Sequence, residues 1–367
     1  MAIAYTKESA SPSKSNLMNI RKVTNITLCA LMTLAISACG GKSQPTAPAK
    51  TPAVATDSAA ARQALRNRRS TAIARVACDA TFENIMQQEI DVFEYRTDYK
   101  YPVLPYYVSE AQCLDSLMSG IVDVAVLSRP LTPYEVQRLT ERGRKPHTTE
   151  IAIDGIAIIV NQDNPLEELT TAQLGDILSG KYLTWKDLGA DNLGDIKVIF
   201  DNPRSSTSRC LKEKLLADSV AFGPSVGAVS DSLDSRRVFE LVAKNPNAIG
   251  VIGVSWVTRD LNSVDMTIAQ RNDYSDNYEV EPDLNFREEI KVMKIGETAE
   301  DAVRPWQAYL FDGTYPLWRS IYMVNTGGNG TGAHSFYVFV TSWIGQKLMQ
   351  ETGILPKVIH TKVVQLN

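Results

Sequence analysis

An α/β fold with mostly parallel sheets is what this sequence predicts, on three observations. Short apolar runs alternate along the chain with segments of helical period. The run over residues 122–127 is apolar at nearly every position, as a strand buried on both faces must be. The composition is that of a folded globule: of 367 residues, 44% are hydrophobic and 22% charged, with a net charge of -4. A chain this long fits two lobes better than one.

The first 70 residues lack that rhythm. Residues 1–15 are polar; Arg21 and Lys22 then precede an uncharged run over 23–36, which ends in Ser37-Ala38-Cys39-Gly40. A basic start, an apolar centre too short for a comfortable membrane span and small residues before a cut describe an export signal over 1–39. Met18 is an alternative start. Losing residues 1–38 would leave 34 basic against 41 acidic residues, a charge of -7. Residues 40–60 are Gly, Ser, Thr, Pro and Ala with Pro45, Pro48 and Pro52, which cannot bury a core. With a short basic helical turn over 59–69, this gives a linker at 40–70.

The globule starts with an alternating strand at 73–77. Thr81 N-caps a helix over 82–93, where Ile85, Ile90 and Phe93 recur at helical spacing. A strand at 106–108 leads to a helix over 111–119, with Leu114, Leu117 and Met118 on one stripe and Gly120 as its stop. After the 122–127 strand come a helix at 133–142 and a long apolar strand at 151–160, interrupted by Asp154 and Gly155. A helix at 171–178, a strand at 196–200, helices at 207–216 and 236–244 and a strand at 248–253 follow. Residues 260–300 are polar and predict excursions on the second lobe. A strand at 317–324, a Gly327-Gly328-Asn329-Gly330 turn and one closing helix over 336–350 complete the pattern, without an internal repeat.

Residues 150–161 and 315–325 have the length and polarity to run between lobes. Two such crossings put a two-strand hinge behind a cleft, a preferred place for ligands. Lobe 1 is then 71–160 with 319–367, and lobe 2 is 161–318.

The densest chemical cluster is Asp201-Asn202-Pro203-Arg204-Ser205-Ser206-Thr207-Ser208-Arg209, between a strand and a helix. Its hydroxyls and N–H groups converge where the helix dipole is positive, which suits an oxyanion. Plain capping would use the same residues. Asp79-Ala80-Thr81-Phe82, Ser109 and Ser128-Arg129 sit at junctions of the same kind, on the carboxyl edge of the sheet where α/β proteins bind ligands.

Other classes are poorly supplied. The acidic balance argues against nucleic acid. Three histidines and no CxxC pair leave no metal site or cofactor to expect. GxSxG, HExxH, the P-loop and the Rossmann glycines are all missing, so no enzyme is expected. Cys78, Cys113 and Cys210 would remain after export, enough for one disulfide whose partners the spacing does not assign.

Thr81-Phe82, Ser109 and the stretches 122–132, 151–165, 169–189, 201–209, 245–253 and 315–325, in that order, resemble the phosphate-binding proteins of bacterial ABC importers. Residues 36–40 resemble a lipoprotein lipobox. The resemblance implies a two-lobed type II periplasmic-binding-protein fold that closes on inorganic phosphate and hands it to a permease without catalysis. It also implies a monomer of the cell envelope, facing the periplasm, that is held to a membrane by lipid on Cys39. By the same resemblance, the phosphate contacts are expected at Thr81, the Phe82 N–H, Ser109, Ser128 and Ser205-Ser206-Thr207.

This sequence departs from the family at three positions. The family commonly carries an acidic residue after the serine of the third motif, and an arginine four residues before the serine of a Ser-Gly-Thr loop. Arg129 and Asp201 stand there instead, and Ser206 replaces the glycine. The expectation is an exchange of the charge pair between lobes: Arg129 as cation, Asp201 as acceptor, Arg204 as a further cation. Arg209 and Arg319 are other candidate cations, with ordinary salt bridges as the favoured expectation for both. The competing expectations are a sensor or scaffold lipoprotein that kept the fold without transport, a sulfate binder and, last, a phosphatase.

Overall fold

The computed structural model describes residues 71–202, 205–228, 235–258, 267–276 and 286–358. The signal segment with Cys39, the linker up to residue 70 and Arg204 lie outside the described residues.

The first half of the chain alternates as its pattern predicts: β1 (Ala74–Asp79), α1 (Glu83–Arg96), β2 (Val103–Val108), α2 (Glu110–Ser119), β3 (Val124–Leu127) and α3 (Pro133–Glu141). Ser109 and Thr132 start α2 and α3 through capping boxes closed by Gln112 and Glu135. Gly120 ends α2 at φ 80°, a left-handed position that costs glycine nothing. β1 lies parallel between β2 and β3.

β4 (His147–Asn161) then runs 15 residues into the second half. There follow β5 (Glu168–Thr170), α4 (Thr171–Leu178), β6 (Lys197–Phe200), α5 (Ser206–Leu215), β7 (Val226–Ala228), α6 (Ser235–Lys244) and β8 (Ala248–Gly253). α7 (Ile268–Asp276), β9 (Ile290–Val292), β10 (Lys294–Gly296) and α8 (Gln307–Phe311) complete this half. β11 (Trp318–Asn325) returns to the first half, followed by α9 (Gly332–Val340), α10 (Trp343–Gln350) and β12 (Leu355–Pro356).

The strand order is β2-β1-β3-β11-β4-β8-β6-β7. Its flanks are parallel and its centre is antiparallel: β11 pairs with β3 and β4, and β4 pairs with β8. The two long strands foreseen as crossovers therefore join two α/β lobes. The first part of β4 pairs with β11, and residues 156–160 pair with β8. From Ile151 onward β4 is almost wholly buried on both faces. Ile156, Ile158 and Val160 enter the core of the second lobe around Trp185 and Phe200, while Ala157 and Ile159 turn to the opposite cluster.

The closing helix differs from expectation. Instead of one helix over 336–350 there are two, broken at Thr341-Ser342. The Thr341 and Ser342 hydroxyls donate back to the carbonyls of Tyr337 and Phe339, at 2.9 and 2.6 Å, and Ser342 is extended. Apolar periodicity continues through the break, so it does not show in the hydrophobic pattern. Cys78, Cys113 and Cys210 are all free and buried. No helix among the described residues is long and apolar enough to cross a membrane.

Candidate functional site

The carboxyl ends of β1 and β6 point toward each other across the hinge. Asp79 ends β1, and its Oδ1 accepts the Thr81 amide and hydroxyl, each at 3.1 Å, which starts the turn into α1. Ser205 follows β6 and caps α5, accepting the Ser208 amide at 3.1 Å. That cap aims the first residues of α5 at the turn after β1: Thr81 Oγ1 and Ser206 Oγ are 3.3 Å apart. Hydroxyls from both lobes thus meet at one point, and all of them are buried.

The cation at that point is Arg319, from β11. It sits opposite Asp154 in the antiparallel register and binds its Oδ2 through Nε at 3.1 Å and Nη2 at 2.9 Å. Nη1 donates to Ser206 Oγ at 2.6 Å and to Thr207 Oγ1 at 2.9 Å. The guanidinium lies 4.5 Å from the Phe82 ring centre. Gly253 leaves room for this pair, since a Cβ there would stand 2.9 Å from Asp154 Oδ2. Burial disfavours the charge of Arg319, but Asp154 and Asp79 keep its pKa above the ordinary value. Sequence reasoning assigned Arg319 to a structural ion pair. It makes that pair, and it also supplies the positive charge beside the hydroxyls. Its cross-strand position opposite Asp154 was the available signal.

Two further carboxylates border the same point. Asp79 is fully buried and Asp201 is 2% exposed. Among the described residues, neither oxygen of Asp201 and only one oxygen of Asp79 has a hydrogen bond of ordinary geometry. Burial raises both pKa values, that of Asp201 to about 6, against the opposing pull of Ser205, Asn202 and Arg319. Unpaired buried acceptors are costly, and either a donor or uptake of a proton relieves them.

Ser109, Ser128 and Arg129 are used differently. Ser109 caps α2 and bonds Gln112. Arg129 forks Glu135 at 2.9 and 3.0 Å and donates to the Pro130 carbonyl, with no bond to the hydroxyl group. Glu135 belongs to the capping box of α3, so a local carboxylate holds this arginine. Ser128 joins an ionic clasp between the lobes. Glu110 accepts its amide and hydroxyl at 2.8 and 2.7 Å, and accepts Arg209 of α5 at 2.9 and 3.2 Å. Arg209 also donates to Ser128 Oγ at 2.6 Å. Ser128, Glu110 and Arg209, and not Arg129, fasten one lobe to the other.

A family model described as a PBP superfamily domain matches residues 46–343. The chain is 28% identical over 207 residues to the phosphate-binding protein PstS of Staphylococcus epidermidis, covering 56% of this chain and 54% of that protein. It is 26% identical over 255 residues to the PstS of Staphylococcus saprophyticus, covering 68% and 70%. The match thus spans about half the length of the first relative. Among solved structures, one described as a phosphate ABC transporter substrate-binding protein with bound phosphate, from Clostridium perfringens, superposes at a TM-score of 0.61. It is 22% identical, with 77% of this chain and 99% of that one covered. An ABC-type phosphate transport receptor from Vibrio cholerae gives 0.52 at the same identity and coverage. With two lobes joined by paired crossover strands, and a family model matched over most of its length, this chain belongs to the PBP superfamily.

Proposed function

We propose that the protein binds inorganic phosphate between its lobes and delivers it, without catalysis, to the permease of an ABC importer. The observation that carries this is the mixture of donors and acceptors around Thr81 and Ser206. Arg319 and the hydroxyls of Thr81, Ser206 and Thr207 are donors for an oxyanion. The unpaired oxygens of Asp79 and Asp201 are acceptors. Phosphate near neutral pH brings both the negative oxygens and a proton to donate. Sulfate brings no proton, so those carboxylates would face its charge unrelieved. The PstS names of the relatives support the same ligand.

In this scheme Asp201 takes the phosphate proton, as its position in the sequence suggested, and Arg319 has the role first given to Arg129. Thr81, the Phe82 amide, Ser205, Ser206 and Thr207 complete the contacts. Ser109 and Ser128 act through the lobe contact, and Arg204 is a further cation for the same loop. The lobes are 71–160 with 319–367, and 161–318. Export, lipid on Cys39 and a spacer over 40–70 hold the monomeric globule at the periplasmic face of a membrane.

Calorimetric titration of phosphate and sulfate into the wild type and Asp201→Asn tests the assignment. Phosphate should bind at least ten times more tightly than sulfate, and the variant should lose most of that preference. Equal discrimination in both proteins would remove Asp201 from the mechanism.

A further inference from the structure

A cavity of about 390 Å³ lies beside the hydroxyl site, lined by Glu83, Asn84 and Gln87 of the first lobe and Arg236, Phe239, Ser255, Trp256 and Arg287 of the second. A space of this size is in the range that holds organic ligands, well beyond the needs of one oxyanion. Its walls are fixed. The Trp256 indole N–H donates to the Thr81 carbonyl at 2.8 Å, which sets the plane of the ring. Asn84 and Ser255 bond each other across the lobes, Asn84 Nδ2 to the Ser255 carbonyl at 2.8 Å and Ser255 Oγ to Asn84 Oδ1 at 3.2 Å. The segment carrying Arg287 is anchored by Phe286 stacked on Trp306, with ring centres 4.1 Å apart, and by the Arg287 amide donating to the Val257 carbonyl.

The two arginines are the unusual feature. Three arginines at other lobe contacts have a carboxylate: Arg209 has Glu110, Arg319 has Asp154, and Arg271 has Asp91. Among the described residues, no hydrogen bond or ion pair engages the guanidinium of Arg236 or Arg287. That of Arg287 lies 5.0 Å from the Phe239 ring centre. Two uncommitted guanidiniums exceed the single Glu83 carboxylate, in a protein that is acidic overall. Planar forks match phosphoryl oxygens in pairs, and the ring of Trp256 offers a face to a flat group, while the Phe239 face is covered by Arg287.

We infer that this cavity is a second binding site, for a phosphate monoester that carries a ring. Its phosphoryl group sits between Arg236 and Arg287, and its ring lies along Trp256. The site has no lining residue in common with the one proposed for inorganic phosphate and is linked to it through the Trp256 bond to the Thr81 carbonyl. Because residues of both lobes line it, occupancy favours the closed arrangement.

Phenyl phosphate is the probe, titrated calorimetrically into protein saturated with inorganic phosphate and into protein without it. The expected result is one phenyl phosphate per chain under both conditions, weakened at least tenfold in Arg287→Ala and in the more exposed Arg236→Ala. Inorganic phosphate should bind both variants as it binds the wild type. Absence of phenyl phosphate binding, its full displacement by inorganic phosphate, or undiminished binding in both variants would each overturn the second site. If inorganic phosphate alone fails to bind, the proposed transport function falls and this site stands.

Discussion

Arg319 shows how much depends on one buried side chain. It is 3% exposed and faces Asp154, which is fully buried. Removing one partner of such a pair strands the other charge, so Arg319→Met should cost about 3–5 kcal/mol. Adding Asp154→Asn should recover part of that loss, and urea denaturation of the single and double variants checks it. Asp201 gives a dependence on pH. Its carboxyl titrates near 3.8 when unfolded and at about 6 when folded. Below about 3.8 both states hold the proton. Between these values the unfolded chain releases its proton first, so stability falls as pH rises, and above 6 the loss is complete. Two units at ~1.4 kcal/mol each make this about 3 kcal/mol. Burial of Asp79 adds a change of the same sign. Asp201→Asn should therefore flatten the decline in urea midpoint between pH 4 and 6 in phosphate-free buffer; an unchanged slope would show that Asp201 does not cause it.

Most elements were legible because their signals are local. Thr171–Leu178 and Ala248–Gly253 match the pattern to the residue, and the Ser109, Thr132 and Thr170 caps mark helix starts by chemistry that needs no distant partner. The stop at Gly120 is similar. A Cβ there would meet only Arg144 Nη1, at 3.3 Å, so Gly120→Ala should cost about 1 kcal/mol through its φ of 80° alone. The break at Thr341-Ser342 was hidden, because hydroxyl back-bonding leaves no trace in apolar spacing. Long-range partners were hidden too. Nothing near Ser128 in sequence announces Glu110 and Arg209, which meet it from α2 and α5. If their clasp sets lobe spacing, Glu110→Ala without phosphate should have a larger radius of gyration by small-angle scattering than the wild type. Equal radii would reduce the clasp to a surface ion pair.

On the scale of the whole molecule, the alternation of strands and helices predicted two α/β lobes, and the two long apolar strands predicted where the chain crosses between them. The composition of the cleft was only half legible. The hydroxyls stand at strand ends where any α/β protein gathers ligand contacts, so position alone singles them out. The charges do not follow from position: Arg129 is held by Glu135 beside it, whereas Arg319 reaches the site across the sheet. The central claim is that Arg319, Thr81, Ser206 and Thr207 form the donor side of one oxyanion site. Titrating phosphate into the wild type and Thr207→Val by calorimetry tests it most directly. One phosphate per chain at micromolar affinity or tighter, weakened at least tenfold in the variant, is the predicted result. Equal affinity in the two proteins, or no phosphate bound by either, would contradict it.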